Sequence, residues 1–220
     1  MNQNSLLTLV TKKAMTIGLF CLLISFVTSA SSNPTILVMG DSLSAEYGIS
    51  RGSGWVKLLE GQLEKQGSQW VVFNASISGE TTAGGLARFS ALLVQKKPSI
   101  VLLELGANDA LRGLSIDETQ KNLRQMIQQS KKSGAKVLLL GMQIPPNYGQ
   151  DYTKKFKDLY PKLASQEGIE LVPFFLAGVV SNADLFQADN IHPNEKAQTI
   201  LYKNVWSAMA PYQSLFNSNK

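Results

Sequence analysis

The 220-residue sequence predicts an α/β fold, a mainly parallel five-stranded sheet covered by helices on both faces. Short apolar runs alternate with longer amphipathic ones along the chain. The residues able to do chemistry fall just after the apolar runs, where a parallel sheet gathers its functional loops. Thr35 to Met39, Trp70 to Phe73, Ile100 to Leu105, Val137 to Met142 and Glu170 to Pro173 read as the buried strands.

Helices are expected between them. The clearest begins at Ser115, where Ser115-Ile116-Asp117-Glu118 has the pattern of a capping box, carries Leu123, Met126 and Ile127 on one face, and ends near Gly134. A last helix follows Pro193, with Ala197, Ile200, Leu201, Val205, Ala208 and Met209 at three- and four-residue spacing, and should fix the loop before it. Pro145-Pro146-Asn147-Tyr148-Gly149 is a stiff loop after the fourth strand. No internal repeat, low-complexity segment or interdomain linker interrupts the pattern.

Hydrophobic residues make up 44% of the chain and charged ones 17%, enough to bury one substantial core but short for two. Residues 31–220 therefore read as one domain. The first thirty residues stand apart. Lys12 and Lys13 precede an apolar run from Ala14 to Val27, and Thr28-Ser29-Ala30 supplies small residues for cleavage, the pattern of a signal peptide.

That run is shorter than the roughly 20 residues of a spanning helix, so a cleaved leader is expected rather than a stable membrane anchor. Cys21 lies inside the run behind bulky Phe20, a poor fit to a lipidation site. Cleavage near Ala30 removes the only cysteine, leaving a periplasmic or secreted protein without a disulfide. It also removes Lys12 and Lys13 and no acid, so the charge falls from +5 to +3. This balance is too mild to call for a nucleic-acid partner. Lys154, Lys155 and Lys157 cluster on a helix, and a solvated face accounts for them. A monomer is expected.

The first strand ends in Gly40-Asp41-Ser42-Leu43-Ser44, which places Ser42 on a tight turn with its hydroxyl and amide facing the same space. Serines in such places usually cap the next helix. A hydroxyl becomes a nucleophile when a base takes its proton, and the chain has a single histidine, His192, to do so. Asp189, three residues earlier in Asp189-Asn190-Ile191-His192-Pro193, is spaced to accept a hydrogen bond from the imidazole. Asp41, Asp109 and Asp184 are alternatives for the acid, without that local spacing.

Acyl transfer also needs donors aimed at an oxyanion. After the second strand, Gly79 can bring its amide close to a ligand, and after the third, Gly106-Ala107-Asn108-Asp109 offers the Asn108 carboxamide. Each is also an ordinary turn residue. Leu111, Ile144, Pro145, Pro146 and Tyr148 lie on neighbouring loops and are candidates for an apolar acyl groove, although packing explains them equally well. Position 44 is serine, so the Gly-x-Ser-x-Gly nucleophile elbow of the α/β-hydrolase fold is not matched.

Gly-Asp-Ser-Leu at residues 40 to 43, Gly79, Gly106-x-Asn108-Asp109 and Asp189-x-x-His192 together resemble the GDSL, or SGNH, hydrolases. The similarity extends through Asn74-Ala75-Ser76-Ile77-Ser78-Gly79, Gly85-Leu86-Ala87-Arg88, Leu111-Arg112-Gly113, Pro146-Asn147-Tyr148-Gly149 and Tyr160-Pro161-Lys162-Leu163-Ala164 to the thioesterase and lysophospholipase branch of that family.

The resemblance implies a three-layer flavodoxin-like fold and export to the periplasm. It also implies a Ser42-His192-Asp189 triad, an oxyanion hole from the Ser42 and Gly79 amides with the Asn108 side chain, and no metal or organic cofactor. The substrate would be a small acyl ester or thioester, including lysophospholipid. Ala107 and Ala110 stand where that branch has glycines, Glu80 where it has aspartate and Glu46 where it has glycine, departures that bear on substrate preference. A carbohydrate O-deacetylase of the same superfamily is an alternative, and a non-catalytic exported lipid-binding protein is one from another class.

Overall fold

The computed structural model describes residues 33–216, so the expected signal segment lies outside the described residues. Five strands form one all-parallel sheet: β1 (Thr35–Gly40), β2 (Val71–Asn74), β3 (Ile100–Glu104), β4 (Lys136–Leu140) and β5 (Glu170–Val172), in the order β2-β1-β3-β4-β5. All five strands predicted from the apolar runs are present, with ends shifted by a residue or two.

The central strands β1, β3 and β4 are buried almost throughout, whereas β2 and β5, at the sheet edges, are half-exposed. A parallel sheet needs both faces covered. Helices α1 (Trp55–Lys65) and α6 (Gln198–Ala208) pack together on one face. On the other, α2 (Thr82–Lys96), α4 (Ile116–Lys132) and α5 (Gln150–Glu167) pack side by side. Short helices α3 (Ala107–Leu111) and α7 (Gln213–Phe216) complete the set.

Ser115 caps α4 by accepting from the Glu118 N–H, while the Glu118 carboxylate pairs outward with Lys121. Only the serine half of the expected capping box is therefore used. The helix expected after Pro193 is α6, reached through a single 3-10 turn, Glu195–Ala197; of the six residues on its expected face Ala197, Leu201, Val205 and Met209 are buried, whereas Ile200 and Ala208 are half-buried. Among the described residues no helix is long and apolar enough to cross a membrane.

The chain runs from β1 to β2 on one side and later returns to place β3 on the other. The crevice beyond the carboxyl ends of β1 and β3 is the switch point where such sheets bind ligands. Ser42 follows β1 and Asn108 follows β3, so both candidates sit at this point.

Candidate active site

Ser42 opens a run of turns over residues 42–48 and caps no helix; α1 starts only at Trp55, behind Gly54. The ordinary role of such a serine as a helix cap is unfilled here, since residues 42–48 run through turns before α1 begins. Ala45 N–H donates to Asp41 O, and Glu46 takes a left-handed conformation at φ 58. That conformation disfavours a side chain. It is offset here because the Glu46 carboxylate accepts from Gly52 and Gly54 N–H. Asn74 fastens the turn from the next strand by donating to Ser44 O at 2.7 Å.

His192 reaches this turn from the opposite end of the sequence. Its loop is a tight hairpin in which Gln187 N–H donates to His192 O at 2.8 Å and Phe186 bridges Pro193. Asn194 donates to the Asp184 and Phe186 carbonyls, closing the hairpin from within. The Gln187 carboxamide then donates to Tyr47 O at 2.8 Å, tying the histidine loop to the serine turn.

The result is a continuous chain of short contacts. Ser42 Oγ lies 3.0 Å from His192 Nε2, and His192 Nδ1 lies 2.6 Å from Asp189 Oδ2. With the proton on Nδ1 donated to Asp189, the Nε2 lone pair faces the Ser42 hydroxyl. Asp189 Oδ1 also accepts from the Ile191 and His192 backbone N–H groups. The His192 N–H and these other donors pull the Asp189 carboxyl down to about 2, despite its exposure. It is therefore ionised across the physiological range.

The other acids considered are elsewhere. Asp109 is buried and accepts from Thr82 N–H at 2.8 Å, from the Thr82 hydroxyl at 2.5 Å and from Thr119. It holds α2, α3 and α4 together. Asp184 is exposed on its own 3-10 turn. Asp41 lies behind the Ser42 turn, where its Oδ1 accepts from Leu43 N–H and its Oδ2 from Asn108 Nδ2 at 2.9 Å.

Gly79 has φ +78, a conformation open to glycine and costly for other residues, and its carbonyl accepts from Arg112 at 2.9 Å. Glu80 next to it pairs with Arg88, whose second nitrogen holds Ala75 O, so the loop after β2 is braced from α2.

The candidate acyl-groove residues divide. Leu111 ends α3 half-buried and Ile144 packs against the core, while Pro145, Pro146 and Tyr148 are exposed. None of the five lines the small cavity beside the serine and histidine. Leu43, Glu46, Tyr47, Ile49, Pro193 and Gln198 line it together with Ser42 and His192.

Tyr47, half-exposed, sets its ring 4.5 Å from the imidazole centroid at 42°. Sequence reasoning missed it, although its place five residues after the serine on the same turn was the available signal. It also missed Gln187, and the pairing of Asp41 with Asn108.

The comparisons with known proteins point the same way as this geometry. Residues 38–200 match the GDSL-like Lipase/Acylhydrolase family. The chain is 49% identical to Esterase TesA of Pseudomonas aeruginosa, over 87% of this chain and 95% of that one. It is 44% identical to Thioesterase 1/protease 1/lysophospholipase L1 of Escherichia coli K12, over 83% and 86%. The crystal structure of the psychrotrophic esterase EstA from Pseudoalteromonas sp., inhibited by monoethylphosphonate, superposes with TM-score 0.78 at 40% identity, covering 83% of this chain and all of that one. A sheet of this order, a serine turn at its switch point and relatives alike over most of their length make one finding: the chain belongs to the GDSL-like lipase/acylhydrolase family of ester hydrolases.

Proposed function

We propose that Ser42 is the nucleophile, His192 the general base and Asp189 its orienting acid in the hydrolysis of small acyl esters and thioesters. The observation that carries this reading is the unbroken Asp189–His192–Ser42 chain, with contacts of 2.6 and 3.0 Å. Ser42 Oγ attacks the acyl carbon while its proton passes to Nε2. The imidazolium gives that proton to the departing alcohol or thiol, leaving an acyl-serine. Water then repeats the sequence and frees the acid. The Ser42 and Gly79 amides and the Asn108 carboxamide are read as the donors to the oxyanion, each worth about 2.7–4 kcal/mol in comparable sites.

The names of the relatives support both oxyester and thioester cleavage. A purified chain beginning after Ala30, assayed side by side on acyl-CoA thioesters, lysophospholipid and aryl esters of increasing chain length, should hydrolyse both bond types. Cleavage restricted to acetylated sugars would instead place it with the O-deacetylases. Residues 1–30 are read as an export signal, which N-terminal sequencing of the exported protein checks: a mature chain starting at Met1 contradicts it.

A further inference from the structure

Two buried carboxyls, Asp41 and Glu104, lie beneath the Ser42 turn and exchange no proton or bond with the substrate in the proposed acyl-transfer steps. Strand register sets Gly40 opposite Glu104. A Cβ at Gly40 would come within 2.6 Å of Glu104 Oε2 and 2.7 Å of Ser44 Oγ, so glycine is what lets the acid fold under the turn. Glu104, 1% exposed, accepts on Oε2 from the Ser44 hydroxyl at 2.7 Å and from Asp41 N–H at 3.2 Å. Asp41, also 1% exposed, accepts on one oxygen from Leu43 N–H and on the other from Asn108 Nδ2.

Two buried carboxyls this close do not both ionise. Asp41 receives N–H donors on both oxygens, which favours the charge there, and burial beside that charge holds Glu104 well above the usual carboxylate range. The titratable groups facing the pair are His192 from the last loop and Tyr160 from α5, whose buried hydroxyl donates to Leu105 O.

We infer that Asp41 is the positioning residue of the Asn108 carboxamide, an inference that rests on reading Asn108 as an oxyanion donor. A carboxamide has two faces it can present. An anionic Asp41 accepts one Nδ2 hydrogen and repels the amide oxygen, so the flipped arrangement is excluded and the second hydrogen stays directed away from Asp41. A protonated Asp41 loses that selectivity, because its hydroxyl can donate to the amide oxygen and stabilise the flip. Burial pushes the Asp41 carboxyl up to about 6, against the pull of Leu43 and Asn108, which puts the change within reach of ordinary assays.

The test is a double-mutant cycle in kcat with Asp41→Asn and Asn108→Ala, each confirmed as folded by its circular dichroism. Asn108→Ala should lower kcat by about 10²–10³-fold. Asp41→Asn should lower it about tenfold or more with KM within about twofold, and should cost nothing further in the Asn108→Ala background. Equal losses in both backgrounds overturn the inference and leave the oxyanion reading standing. Full activity in Asn108→Ala overturns the oxyanion reading itself.

A second measurement does not depend on Asp41→Asn folding. In His192→Ala, which removes the only imidazole of the chain, the Asn108 side-chain amide resonances should titrate with a midpoint between about pH 5 and 7. Resonances that stay still across that range contradict the inference.

Discussion

The two sides of the Ser42 turn are built on opposite principles. On the open side, Asp189 and His192 stand on a surface hairpin, three residues apart, and the hydrogen bonds that Asp189 accepts are all made within that hairpin. On the closed side, Asp41, Glu104, Asp109 and Thr82 are each at most 3% exposed and bind partners tens of residues away. The open side keeps a charge through local backbone donors, at little cost in solvation. The closed side must limit its charge, because desolvation of a carboxylate is expensive. Chemistry thus stays accessible on one side, while rigidity comes from the other.

That contrast predicts activity losses without unfolding on the open side. His192→Ala should lower kcat by about 10⁶-fold and leave the unfolding midpoint in urea almost unchanged. A variant that loses stability along with activity would erase the distinction.

On the closed side the expected signature is a stability that depends on pH. A carboxyl whose folded pKa is raised contributes stability that is fully present below its unfolded value, and is lost as pH rises through the folded one. For Asp41 that window runs from about 4 to about 6. Relative to Asp41→Asn, the wild type should therefore lose up to about 3 kcal/mol between pH 4 and pH 8, read from urea unfolding at each pH. A difference that does not vary with pH would show that the carboxyl is not protonated preferentially in the folded state.

The smaller effect belongs to Thr82. Its hydroxyl donates to Asp109 at 2.5 Å and accepts from Asn122 at 3.1 Å, deep between α2 and α4. Thr82→Val keeps the shape and removes the hydroxyl, and should cost about 1–3 kcal/mol in unfolding free energy. Retained stability would mean that Asp109 finds another donor.

The same contrast explains what could be read from the sequence. The strands were legible because Ile36 to Met39, Ile100 to Leu103 and Val137 to Leu140 are buried on both faces and so are continuously apolar. Asp189 and His192 were legible because their interaction is local. Ser42 was ambiguous alone, since a serine after a strand reads equally well as a cap, and it gained meaning from a partner 150 residues away. Glu104 was not legible at all. It ends an apolar strand like any polar boundary residue, and its contact with Asp41 follows from strand register, which periodicity does not specify. The groove expected around Leu111 and Tyr148 was inferred from loop position, whereas the cavity beside His192 is walled by the serine's own turn.

In the proposed reaction Ser42 Oγ is the attacking atom. Its most direct test is mass spectrometry of the purified protein after reaction with a fluorophosphonate. The expected result is one adduct per chain on the peptide carrying Ser42, lost in Ser42→Ala together with ester turnover. An adduct on another residue, or turnover retained by Ser42→Ala, would contradict it.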